Sequence, residues 1–363
     1  MPAPGPPADI ASELATRLPN LLSERIDPGT EWHVEVHTDP LTGSGEATPE
    51  VLDGTERVRR ERDWDYAVCV TDLPIFWDEK VVVTQTSRDR RIGETSVPAL
   101  GTVGRRRRLQ ETTLRIVDEM VTGRRATGAA STHGHRLAGE VPSVRRDEAS
   151  PGPGDVDVRY LAPGVVARTR LIAGMVLANQ PWGIFLSMKS AMTAAFAAGA
   201  SSLVFSTMWE LANAFHWPHF VSLMLMSVAA MVCWIVFSHQ MWERASEAGS
   251  ASLARLYNTA TVGTLLVAVT IAYAVLFVLL LGACFFFVPT SILESKLGQP
   301  VGIGFFFLLA WLMASIATVA GALGSGLEDD RAVVEATYGF RQQRRIEKLH
   351  ERRRRKKAER YAD

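Results

Sequence analysis

Apolar positions follow two patterns along this chain, and the change between them falls near Pro181. Beyond it lie four runs without a charged side chain in the middle: roughly Ser190–Leu211, Phe220–His239, Thr259–Val288 and Val301–Leu327. A helix needs about 20 apolar residues to cross a ~30 Å hydrocarbon core, and each run reaches that length. Lipid offers the backbone no hydrogen-bond partner, so helix is the form expected of all four. Thr259–Val288 is long for one crossing and must tilt or project. The stretch Val165–Met188 is apolar but interrupted by Arg168, Arg170 and Asn179-Gln180-Pro181-Trp182, which predicts an interfacial helix at 165–188.

Before the change, the periods are those of a soluble domain. Ile10, Leu14, Leu18, Leu21, Leu22 and Ile26 recur at three and four, an amphipathic helix that Pro19 kinks or splits. Trp32, Val34 and Val36 alternate with His33, Glu35 and His37, the pattern of a half-buried strand. A polar helix at Thr48–Arg62 precedes expected strands at Tyr66–Thr71, Lys80–Thr86 and Ile92–Leu100. A helix at Arg105–Val121 closes the series. Helices and strands in this order predict an α+β fold, a small mixed-sheet domain at residues 1–125. Composition then shifts to Gly, Ala, Ser and Pro, read as a flexible linker at 126–164. The expected four-helix transmembrane bundle occupies 189–327, and a polybasic helical tail occupies 328–363.

The 363 residues hold 39 basic and 39 acidic side chains, a balance that hides strong segregation onto the two flanks of the apolar block. Arginines precede the first run, Arg244 and Arg255 lie in the second connection, and the other two connections hold only Lys296. Positive charge favours the cytoplasmic side, so both termini are expected there, with four crossings in the plasma or inner membrane. Trp209 and Trp217 would mark the outer interface, Trp182 and Trp242 the inner one. The start MPAPGPPADI lacks the basic and apolar regions of a signal peptide, so the first crossing is expected to direct insertion. Arg168, Arg170 and the tail residues Arg352, Arg353, Arg354, Arg355, Lys356 and Lys357 are the candidate contacts to anionic lipid headgroups. Few aromatics accompany the tail, which argues against nucleic acid.

Candidate chemistry is sparse. Cys69, Cys233 and Cys284 are far apart and read as small buried side chains. His33, Glu35 and His37 share a strand face, His133 and His135 lie in a Gly-rich stretch, and His216 and His219 flank an interfacial loop; all read as surface positions. Gly101-Thr102-Val103-Gly104 before four arginines lacks the spacing of a P-loop; it reads as a solvated basic patch or a site for an anionic ligand. No catalytic set, cofactor or resident metal is expected. In the apolar block, Ala194, Ala198 and Ser202, and again Ala317, Gly321 and Ser325, place small residues four apart, as close packing within the bundle or a homodimer seam requires. No ionisable group at membrane depth supplies a coupled transporter's relay.

Two resemblances accompany these residues. The element order over Glu31–Val121 is similar to the N-terminal half of archaemetzincin-like and metzincin zinc proteases. Their H-E-x-x-H helix would fall at Gln110–Met120, which has no histidine, so the likeness implies a catalytically dead relative. LIAGMVLANQPW at Leu171–Trp182 and ASIATVAGALGSGLE at Ala314–Glu328 resemble uncharacterised actinobacterial proteins with a soluble N-terminal region before four membrane helices. That likeness implies architecture and no activity. The expected function is therefore a non-enzymatic membrane protein anchoring a cytosolic α/β domain for a protein partner or small ligand. An accessory or small-solute transport component is the alternative, and a degenerate metallohydrolase a further one.

Overall fold

The structure is a computed structural model that describes residues 1–39, 48–122, 144–148, 156–244 and 250–325. Two compact units result, one within Met1–Ala178 and one beginning at Asn179.

The first unit is an α/β domain. Helices α1 (Pro6–Ala15) and α2 (Leu18–Arg25) replace the single amphipathic helix, with Pro19 in the first turn of α2, where its missing N–H costs nothing. After α3 (Thr48–Glu61) come β1 (Ala67–Thr71), β2 (Ile75–Trp77), β3 (Lys80–Ser87) and β4 (Ile92–Ser96), then a 3-10 turn at Pro98–Leu100 and α4 (Arg105–Thr122). Strands β5 (Arg145–Glu148) and β6 (Val158–Ala162) and helix α5 (Val165–Ala178) complete it. The sheet runs β1-β4-β3-β6-β5, with β2 also on β3; β1 and β4 are parallel and every other pair is antiparallel. The β2–β3 hairpin turns through Asp78 (φ 47) and Glu79 (φ 60), the doubly left-handed turn that matches strand twist.

Three expectations change here. The sheet draws β5 and β6 from the stretch 126–164 read as a linker. For β5 the side chains give the reason: it is fully exposed and charged, so it carries no apolar period to read. Ile92–Leu100 is a strand only to Ser96, because Pro98 cannot continue a ladder. Glu31–His37 is extended but joins no sheet. Its alternation survives as burial, with Trp32, Val34 and Val36 half-buried and Glu31, His33 and Glu35 exposed. The first residues instead line the edge of β1: Met1 N donates to Val68 O (2.7 Å), Val70 N to Met1 O (3.0 Å) and Ala3 N to Val70 O (2.8 Å).

The two sheet faces differ. On one, α4 lays Leu114, Ile116, Val117 and Met120 with Leu18 and Leu22 of α2. On the other, Leu52 of α3 meets Ala67, Ile92 and Val156. Helix α5 buries Ala167, Leu171, Gly174 and Met175, and it packs against the 3-10 turn.

The second unit is helical: α6 (Pro181–Ser187), α7 (Lys189–Ser202), α8 (Ser206–Ala214), α9 (Trp217–Ser238), α10 (Ala251–Phe287), α11 (Thr290–Leu297) and α12 (Ile303–Ser325). Helices α9, α10 and α12 are long and apolar enough to cross a membrane. Val165–Ser187 with Lys189–Ser202 makes a fourth candidate if that bent pair is one span. The chain is thus a multi-pass membrane protein by length and hydropathy. The expected first crossing, Ser190–Leu211, is broken between α7 and α8. Fourteen residues of α7 reach about 21 Å, short of the ~30 Å core.

The small-residue face also differs from the expected one. The buried positions on α7 are Ala191, Ala195 and Gly199, not Ala194, Ala198 and Ser202. They meet α12, where a Cβ added to Gly321 would stand 2.9 Å from Ala195 Cβ, and one added to Gly199 3.1 Å from Ala317 Cβ. Trp209, expected at the interface, is buried and donates from Nε1 to Leu203 O (3.0 Å), while Trp182, Trp217 and Trp242 are exposed. Asn258, within α10, exchanges two 2.9 Å hydrogen bonds with the Glu243 backbone, while Ser250 caps the helix.

Candidate ligand-binding cleft

A cleft of ≈ 750 Å³ lies in the first unit between α1, α2, the segment 30–36, the entry to β1 and α4. Each wall follows from a local pattern. Leu14 comes from α1, Leu18 and Leu22 stand four apart on α2, and Leu109, Thr113 and Val117 repeat every four residues on α4. The alternation of 31–36 turns Trp32, Val34 and Val36 to the same interior. This segment lines the cleft without joining a sheet ladder. Trp32 and Tyr66 approach with ring centroids 6.2 Å apart, and Trp32 Nε1 donates to Asp27 O (3.4 Å).

The mouth is acidic. Asp27, Glu31, Glu35, Asp63 and Asp65 line it, and among the described lining residues there is no lysine or arginine side chain. Asp27 caps its own turn, accepting from Gly29 N and Thr30 Oγ1 at 2.9 Å each. Glu35 accepts from Arg62 Nη1 (2.5 Å) and Trp64 Nε1 (2.9 Å). Burial lowers the Met1 amine, also in the wall, to about 6, although Cys69 and Asp39 act to raise it.

A second polar feature runs through the sheet. Cys69, Glu94, Gln85, Arg159 and Asp147 are in register across β1, β4, β3, β6 and β5, so all five share one face. Gln85 Nε2 donates to Glu94 Oε2 at 2.6 Å, and burial still raises the Glu94 carboxyl to about 7. Burial, helped by Glu94, also pushes the Cys69 thiol far up, which makes it inert as a nucleophile at neutral pH. Arg159 is buried with its guanidinium 3.8 Å from the Trp77 ring centroid.

On the opposite face Glu119 of α4 accepts from Arg88 (2.8 Å), Arg146 (3.0 Å) and Tyr160 (2.9 Å). Burial alone would raise its carboxyl, but these donors hold it below the usual range.

The basic residues singled out from the sequence separate into two groups. Gly101 brings the 3-10 turn against α5: a Cβ there would be 2.9 Å from Arg170 Cγ and 3.2 Å from Arg108 Nη1. Arg108, the last of the four arginines opening α4, therefore has Arg170 beside it, and Arg168 donates to Glu79 O (3.2 Å). Val103, Val165 and Val166 are exposed apolar residues in these same segments. Arg352, Arg353, Arg354, Arg355, Lys356 and Lys357 lie outside the described residues, as do His133 and His135.

The histidine candidates are dispersed. His33 is within 3.8 Å of Glu31, Glu35 is held by Arg62, and His37 stacks edge-on with Trp64. Among the described residues no three His, Cys, Asp or Glu side chains are grouped to hold a metal. His216 and His219 face each other at 6.3 Å, with Phe215 stacked on His219.

The cleft was not legible as a site, since its parts lie in four separated segments. The run Asp63-Trp64-Asp65-Tyr66, acidic and aromatic by turns just before a strand, was the one local signal of it. Comparison of the chain with protein-family models, curated proteins and solved structures found no match.

Proposed function

We propose that this is a membrane-anchored binding protein, whose helical unit holds the chain in the bilayer while the α/β domain takes a ligand in its cleft. The ≈ 750 Å³ cleft carries this reading, because its volume and apolar floor suit a small organic molecule. The helical unit supports the anchoring role. Its interior is filled by Leu265, Leu276, Leu280, Leu309 and Met313, and a small cavity beside Tyr273 and Gly321 has ≈ 20 Å³, room for about one water. A conduit for solutes gains no support from such packing.

In this reading both termini are cytoplasmic, as the arginine-poor first and third connections favour. Arg106, Arg107 and Arg168 are exposed, as are Val103, Val165 and Val166, and basic and apolar side chains of this kind suit anionic headgroups.

The test is native mass spectrometry of the full chain released from nanodiscs after incubation with a small-molecule library, comparing wild type with Val34→Trp. Adducts on wild type that the tryptophan excludes support the cleft. Equal adducts on both proteins, or none on either, would reject it.

A further inference from the structure

Resting on the reading of the cleft as a ligand site, we infer that its occupant is an amphipathic organic cation, an aryl or alkyl body bearing an ammonium or guanidinium group. The body follows from the floor. Leu14, Leu18, Leu22, Val34 and Val117 present hydrocarbon and no charge, so they gain most from an apolar surface of similar size. The charge follows from the mouth. Glu31, Asp63 and Asp65 line it, and among the described lining residues there is no lysine or arginine side chain. Arg62 pairs with Glu35, and His33 lies by Glu31, so the excess is carried mainly at Asp63, Asp65 and Glu31. The Met1 amine adds little positive charge at pH 7, because burial favours its neutral form.

Field lines from the carboxylates concentrate where low-dielectric walls narrow the opening, which draws cations in and turns anions away. Trp32 and Tyr66 stand at the same opening, and an aromatic face attracts a cation that has shed part of its water. The volume sets an upper size. At ≈ 750 Å³ the cleft admits a small molecule whole but only one or two side chains of a basic protein.

Three probes of matched body test this on the full chain in zwitterionic nanodiscs by titration calorimetry, with empty nanodiscs as baseline. They are phenylbutyl-trimethylammonium, phenylbutanol and phenylbutyl sulfonate. The ammonium should bind about tenfold more tightly than the alcohol at low salt, and the sulfonate more weakly than either. Glu31→Gln with Asp65→Asn should remove that tenfold advantage and leave the alcohol unchanged. Val34→Trp, or Ala15→Trp from the other wall should the first not fold, should block ammonium and alcohol alike. Equal binding of the three probes that a filling tryptophan still abolishes would overturn the cation and leave the cleft standing. No binding, or binding that neither tryptophan disturbs, would overturn both. A tenfold gain in ammonium affinity on deleting Arg341–Asp363 would make the chain's own basic tail the occupant and would also overturn the inference.

Discussion

Gly174 lies against the carbonyl of Pro98 so closely that an added Cβ would be 2.1 Å from Pro98 O. That distance is below any real contact, and the atom it meets is backbone. The 3-10 turn and α5 are therefore fixed to each other by the absence of one methyl group. Gly174→Ala should lower the unfolding free energy of the α/β domain by about 2–3 kcal/mol, the cost of overpacking a rigid contact. Gly183→Ala, where nothing lies within 4 Å, should be neutral or slightly stabilising through helix propensity. Thermal melts of the two variants in nanodiscs read the difference.

Glu94 should give the domain an inverted pH dependence. Its folded carboxyl titrates near 7 against an ordinary 4.5, so between those values the folded state holds a proton the unfolded state has lost. The stabilising term is complete below 4.5 and is lost as pH rises through 7, a fall of about 3 kcal/mol. Glu94→Gln should flatten urea midpoints measured over that interval. A wild-type curve already flat there would place the carboxylate in a wetter setting than this face of the sheet.

Glu119 joins three elements through Arg88, Arg146 and Tyr160. Glu119→Gln replaces a carboxylate shared by two guanidinium groups with one amide oxygen, while Arg146 keeps Glu148, so the change should cost about 1–3 kcal/mol. Tyr160→Phe deletes one neutral donor and should cost about 1 kcal/mol. Hydrogen exchange should show the loss first in β5, whose residues are exposed and held from the α4 side by Arg146.

In the helical unit, Gly321→Leu should weaken the α7–α12 contact, because its Cβ would come within 2.9 Å of Ala195 Cβ and 3.0 Å of Ala191 O. Gly282→Leu on α10 meets nothing within 4 Å and should be tolerated. Denaturation with added SDS distinguishes the two, and equal midpoints would sink the close packing of these helices.

Long uninterrupted signals were the ones the sequence alone determined. Runs such as Phe220–His239 and Val301–Leu327 read as membrane helices without any partner, because lipid is a uniform solvent and each helix satisfies its own backbone. The alternation of Trp32, Val34 and Val36 likewise stated which side chains turn inward. What they turn toward was decided only in three dimensions. Residues 31–37 join no ladder although they alternate, while the first three residues, without any period, line the β1 edge; and whether the small residues of α7 faced α12 through Ala195 or Ala198 depended on a helix more than a hundred residues later. Charged β5 entered the sheet through pairing with β6 and through Glu119, neither of which leaves a local period. The cleft is the furthest such case. Its hydrocarbon floor and acidic mouth are each ordinary stretches of sequence, and they acquire a chemistry only when four segments bring them around one volume.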